Sequence, residues 1–178
     1  MTILLAACGP ETTSFRTTDR ADEAERAGPP AAAYDVRLSD QPIAKVHVWS
    51  SGGYVSISHE PMTHIGFEIQ NTSSHPIVFD GDALELVVFD ASFAALPPTR
   101  FMTTTPLGPA QLPIAPGKTI TLASYFLLPV RPRVVDTMQV RWSLRANDQT
   151  YLQITRFTRD DDFPILNYAR VESPATKS

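Results

Sequence analysis

An all-β chain, folded as an antiparallel two-sheet sandwich of seven or eight short strands, is what this sequence predicts, and three observations carry it. Sixteen prolines against eight glycines are spread along 178 residues, and each proline removes a backbone donor and interrupts long helices. Apolar and polar residues alternate at period two in several segments, the spacing of a strand with one buried face. Turn residues punctuate those segments at short intervals: Ser50-Ser51-Gly52-Gly53, Asn71-Thr72-Ser73-Ser74, Asp80-Gly81-Asp82, Pro116-Gly117 and Asn147-Asp148.

In chain order, Ile43–Trp49 reads as a first strand, broken by the Ser-Ser-Gly-Gly run and continued briefly over Tyr54–Ser58. Met62–Asn71 alternates cleanly, with Thr63, Ile65, Phe67 and Ile69 on one face. Ile77–Phe79 is short, and Ala83–Asp90 is uniformly apolar, as a strand covered on both faces would be. Residues 91–110 carry four prolines and read as a long irregular loop, the kind of segment that is often functional. Gln111–Ile114 suits a brief edge pair, and Lys118–Leu128 resumes strand character. Asp136–Asn147 is the clearest strand: Met138, Val140, Trp142 and Leu144 point one way, Gln139, Arg141, Ser143 and Arg145 the other. Thr150–Phe157 returns antiparallel after the Asn-Asp turn. The domain is expected over 34–168, with a flexible tail at 169–178.

The chain opens MTILLAACGP, and its single cysteine, Cys8, closes a short apolar run. One cysteine excludes an intrachain disulfide, a cysteine zinc finger and a CxxC redox pair. Leu5-Ala6-Ala7-Cys8 resembles the lipobox of bacterial lipoproteins: an aliphatic residue, two small ones that let the backbone enter a peptidase groove, then the thiol that accepts acyl chains. The resemblance implies cleavage before Cys8, lipidation of Cys8, and anchoring by two or more fatty acyl chains such as palmitate. Gly9 stands where an Asp would favour inner-membrane retention in that family, which implies outer-membrane sorting. No Lys or Arg precedes Cys8, and residues 1–8 are too short for a working secretory signal, so the expectation is that the true start lies upstream or that the signal is clipped. Residues 9–33, rich in Thr, Ala, Pro and charge with Phe15 as their large apolar residue, read as a disordered linker.

The strand order over 43–157 resembles the Ig-like domains of bacterial envelope lipoproteins, on the N-T-S-S turn, the L-P-I-A-P-G-K run and the V-R-W-S-L strand. It is a likeness of class; the antibody-type cysteine pair is absent.

Charge excludes some functions. Net charge is −4 with pI near 5.5, and the arginines are scattered, so no basic field exists to recruit nucleic acid. No apolar run approaches the ~20 residues of a spanning helix; a membrane contact would run through the anchor. There is no GxSxG, no Walker A and no dinucleotide fingerprint, and the expectation is a protein that is not an enzyme and carries no cofactor.

His59-Glu60-Pro61-Met62-Thr63-His64 looks like HExxH with one residue too many. The zincin motif needs both imidazoles one helical turn apart; here the spacing is five and Pro61 interrupts. The expectation is no metal, with a Cu(I) carrier using His59, Met62 and His64 as the alternative, because thioether and imidazole suit that ion. Asp160-Asp161-Asp162 lacks the spaced pattern of a calcium loop and reads as a solvated acidic run. Arg141 and Arg145 align on the outward face of the best strand, with Tyr151 and Gln153 expected to share it; Arg and Tyr often anchor interfaces. Phe93, Phe101 and Met102 on the 91–110 loop form a second candidate contact.

The functional expectation is therefore a lipid-anchored, non-enzymatic protein of the bacterial cell envelope, held at the outer membrane, whose sandwich binds a protein partner or serves as an accessory subunit. The copper carrier is one alternative. A soluble cytosolic inhibitor-like module is the other, if Met1 is the true start.

Overall fold

The hairpin at the C-terminal side of the chain organises the fold. In the computed structural model, which describes residues 12–19, 29–89, 95–97, 100–103 and 111–161, alternation along Thr137–Ala146 buries Met138, Val140, Trp142 and Leu144 completely. Ala146 pairs with Gln149 across a two-residue turn, and Asn147 takes φ 52° there, a left-handed conformation that asparagine tolerates.

Around that hairpin the described residues form thirteen strands. They are β1 (Thr12–Thr13), β2 (Phe15–Thr17), β3 (Ala31–Leu38), β4 (Gln41–Val55), β5 (Pro61–Asn71), β6 (Ile77–Asp80), β7 (Glu85–Val88), β8 (Ala95–Leu96), β9 (Arg100–Thr103), β10 (Gln111–Ile114), β11 (Thr119–Leu127), β12 (Thr137–Ala146) and β13 (Gln149–Arg159). A 3-10 turn spans Pro132–Val134. One sheet has six strands in the order β1-β4-β5-β11-β9, with β3 also on β4; the other has seven in the order β10-β6-β12-β13-β2, with β7 on β12 and β8 on β7. The chain is thus a two-sheet antiparallel β-sandwich. Its strand count exceeds seven or eight because short pairs line the sheet margins, two of them inside the expected irregular loop.

Several elements differ from the sequence reading. The Ser-Ser-Gly-Gly run does not end β4; the strand passes through it with a bulge between Ser50 and Gly52. Gly52 has φ +102°, and a Cβ there would lie 2.7 Å from the Thr13 carbonyl oxygen, so glycine admits both the bulge and the incoming β1. The Ser50 hydroxyl accepts from Gly52 N–H at 3.1 Å, replacing a ladder bond that the bulge removes.

The linker expectation for 9–33 fails at both described ends. Thr12 and Thr13 pair with Tyr54 and Gly53 of the first sheet, while Phe15, Arg16 and Thr17 pair with Arg159, Thr158 and Phe157 of the second. Ser14 is where the chain crosses between sheets. Phe15 is 4% exposed and belongs to the core. Composition underrated this segment because its stability comes from backbone pairing at two open margins and from one aromatic ring, supported by strand-favouring threonines. Ala31–Ala33 likewise start β3.

The core lies between the sheets. Phe67 packs 5.3 Å from Phe79 and 6.2 Å from Trp142, edge-on to the indole at 76°, the offset geometry that aromatic quadrupoles prefer. Each such side chain contributes about 1.5–3 kcal/mol by burial. A polar relay crosses the same core. Trp142 Nε1–H donates to the Thr155 hydroxyl at 3.0 Å; Thr155 and Tyr34 hydroxyls lie 2.8 Å apart; Tyr34 donates to Asp19 Oδ2 at 2.7 Å. Tyr34 has one proton and gives it to Asp19, so Thr155 is the donor to Tyr34. Burial pushes the Tyr34 phenol well above its ordinary value, and the Asp19 carboxylate adds to that rise. The relay joins β3 of one sheet to β12 and β13 of the other.

Candidate functional site

The register of the β12–β13 hairpin decides which side chains share its outer face. Arg141 pairs with Ile154, Ser143 with Leu152, and Arg145 with Thr150. Paired residues in an antiparallel ladder point the same way, so Leu152 and Ile154 accompany the two arginines. Tyr151 and Gln153 do not: they pair with Leu144 and Trp142 and lie on the inner side. The Tyr151 ring sits 5.9 Å from Trp142, its hydroxyl donates to Gln153 Oε1 at 2.8 Å, and burial raises its phenol above the ordinary value. The assignment of Tyr151 to the contact face is corrected accordingly. The turn itself held the signal, since a two-residue loop at 147–148 fixes every pair that follows.

Both arginines on this face are held. Arg141 Nη1 lies 3.0 Å from Glu85 Oε2, and Arg145 Nη2 donates to Gln111 Oε1 at 2.6 Å. Leu152 stands between them on the neighbouring strand, 58% exposed. The arrangement is an apolar side chain flanked by two positioned guanidiniums on a rigid ladder.

The His59–His64 stretch divides between two environments. His59 sits in the exposed 56–60 turn at φ 63°, its N–H donating to the Ser56 carbonyl at 2.9 Å. Met62 and His64 share one face of β5, as their period-two spacing predicts. The Met62 sulfur faces the Tyr54 hydroxyl at 4.0 Å. His64 packs 5.0 Å from Tyr125; burial pushes its pKa down to about 4, and its Nδ1 has no hydrogen-bond partner among the described residues. No group of three His, Cys, Asp or Glu side chains with metal-holding geometry occurs among the described residues.

The acidic run is tied into ion pairs. Arg159 reaches Asp136 Oδ1 at 2.9 Å and Asp161 Oδ1 at 3.3 Å, and donates to the Arg133 carbonyl at 2.6 Å. Arg16 faces Asp160 at 3.6 Å. Arg133, Arg159, Asp160 and Asp161 border an open groove of about 570 Å³ beside Thr12–Ser14.

Phe101 and Met102 belong to β9, where they pair with Ser124 and Ala123. Cys8 and Phe93 lie outside the described residues, as does Asp162. No described helix is long and apolar enough to cross a membrane.

Fold and surface together define a β-sandwich protein with a partly apolar, arginine-flanked sheet face. No family model matches the chain, and no curated protein matches it significantly. Among solved structures it is similar to a FixG-related protein from Vibrio parahaemolyticus, at 12% identity and TM-score 0.41, over 66% of this chain and 97% of that one. It is also similar to the GAE domain of GGA2p from Saccharomyces cerevisiae, at 14% identity and TM-score 0.34, over 76% of this chain and 100% of that one. The fold assignment rests on the strand pairings of the chain itself.

Proposed function

We propose that this chain is a lipid-anchored, non-enzymatic protein of the bacterial cell envelope, attached through Cys8 at the outer membrane, that presents an Ig-like β-sandwich to a protein partner. The observation that carries the binding role is Leu152, left 58% exposed between two arginines already held by Glu85 and Gln111. A partner covering this face would bury the leucine and pay little side-chain entropy to order the guanidiniums, because their own neighbours hold them. Arginines in such settings are frequent anchors of binding energy. The Leu-Ala-Ala-Cys motif supports the anchor.

The test is a photo-crosslinking amino acid placed at position 152 of the full chain in intact cells, with the exposed Lys118 position as control. The expected result is one discrete adduct from position 152, recovered in the membrane fraction and lost when Arg145→Glu is added. Equal labelling at both positions, or recovery of the chain in the cytosol with a bare Cys8 thiol, overturns the proposal.

A further inference from the structure

We infer that the end of the sandwich formed by the 56–60 turn, Leu127 and Val134 rests on the lipid bilayer, so that the domain stands on the membrane instead of hanging from a long leash. The inference builds on the proposed acylation of Cys8.

Four large hydrophobic residues are exposed among those described: Ile57 at 102%, Leu152 at 58%, Val134 at 52% and Leu127 at 37%. Three of them lie at one end of the molecule. Ile57 tips the turn between Val55 and Pro61, which pair with each other. Leu127 is the last residue of β11 and pairs with Met62, beside that turn. Val134 closes the 3-10 turn whose Pro132 packs against Gly53, so that a Cβ on Gly53 would meet Pro132 Cβ at 2.7 Å. Leu152 stands apart, on the sheet face assigned to a protein partner.

The chain also enters the fold at this end. Thr12 pairs with Tyr54 and is the outermost residue of β1. Cys8 precedes Thr12 by four residues, and four extended residues span at most about 14 Å. The sandwich is much longer than that: β12 and β13 have 10 and 11 residues, or roughly 33–37 Å at ~3.3–3.4 Å each. An acylated Cys8 therefore cannot place the opposite end, with the Asn147-Asp148 turn, at the bilayer. It places the Ile57 end there.

The chemistry of that end suits the lipid interface. Its arginines and carboxylates are largely matched, with Arg159 against Asp136 and Asp161 and Arg16 against Asp160; Glu60, three residues beyond Ile57, accepts from the Ser58 hydroxyl at 2.9 Å. An apolar tip in a charge-balanced setting binds by burying side chains among acyl chains and does not depend on anionic headgroups.

The test uses the full chain, isolated from bacterial membranes and reconstituted into phosphatidylcholine vesicles containing a nitroxide-labelled phospholipid. An environment-sensitive fluorophore is attached at Ile57→Cys or, separately, at Asp148→Cys, and intact mass reports the state of Cys8. The expected result is an acylated Cys8 and quenching severalfold stronger at position 57 than at position 148, unchanged when phosphatidylglycerol is added. Equal quenching at the two positions with Cys8 acylated overturns the orientation and leaves the anchor standing. Strengthened contact at position 57 on adding the anionic lipid overturns the apolar basis. A bare Cys8 overturns the anchor and the orientation together.

Discussion

Replacing Phe15 by alanine separates a tethered domain from one that includes its own N-terminal segment. The ring is 4% exposed and lies close enough to Gly53 that a Cβ there would meet its Cε2 at 3.1 Å. Removing a buried phenyl group costs about 3–5 kcal/mol when the surroundings cannot collapse. Here the lower part of that range applies, because β2 is three residues long and its undocking caps the loss. With an expected cost of about 3 kcal/mol and roughly 2–4 °C per kcal/mol for a chain of this size, the midpoint of thermal unfolding falls by about 6–12 °C. In urea, with a slope of about 1–3 kcal/mol/M, the transition moves down by about 1–3 M. Leu152→Ala, at an exposed site, is the reference and stays within about 0.5 kcal/mol. A Phe15→Ala shift no larger than that of Leu152→Ala would refute the placement of β1 and β2 in the sheets.

Other perturbations probe separate parts of the fold. Tyr34→Phe leaves the Thr155 donor and the Asp19 acceptor without the phenol, costing about 1–3 kcal/mol in denaturant unfolding, and Thr155→Val in the same chain adds to that loss, because it also takes the acceptor from the buried Trp142 Nε1–H. Gly66→Ala puts a Cβ 2.2 Å from Trp49 Cε2; the indole must leave its seat, with a loss of about 1–3 kcal/mol and a change in near-ultraviolet circular dichroism. His64 has its pKa lowered from 6.5 to about 4 by burial. The unfolded chain then binds the extra proton first, so the stability this site contributes is complete above pH 6.5 and is lost as pH falls toward 4, by up to ~3 kcal/mol. His64→Gln flattens that part of the pH–stability curve; an unchanged slope would contradict the buried neutral imidazole.

Period-two alternation made the long inner strands legible. Thr63, Ile65, Phe67 and Ile69 of β5, and Met138, Val140, Trp142 and Leu144 of β12, are buried as their spacing predicts, because a strand with one face on the core must put every second side chain into it. The margins were not legible. β1 and β2 total five residues, too few for a periodic signal, and what fixes them is the pairing that distant strands offer. The Ser50–Gly53 run has turn composition, yet its bulge serves the approach of Thr13, a contact that no local pattern reveals. The contact face was half legible. Arg141 and Arg145 follow from alternation within one strand, whereas the choice of Leu152 over Tyr151 depends on cross-strand register.

The crossing at Ser14 has a consequence for the order in which the molecule is completed. Phe15 leaves the ribosome well before Arg159 and Phe157, which close its berth. Partnerships between such remote stretches are slow to form. The segment carrying Phe15 consequently cannot be seated on the second sheet before Gln149–Arg159 has been made, and until then a nascent chain stays unlatched along that border.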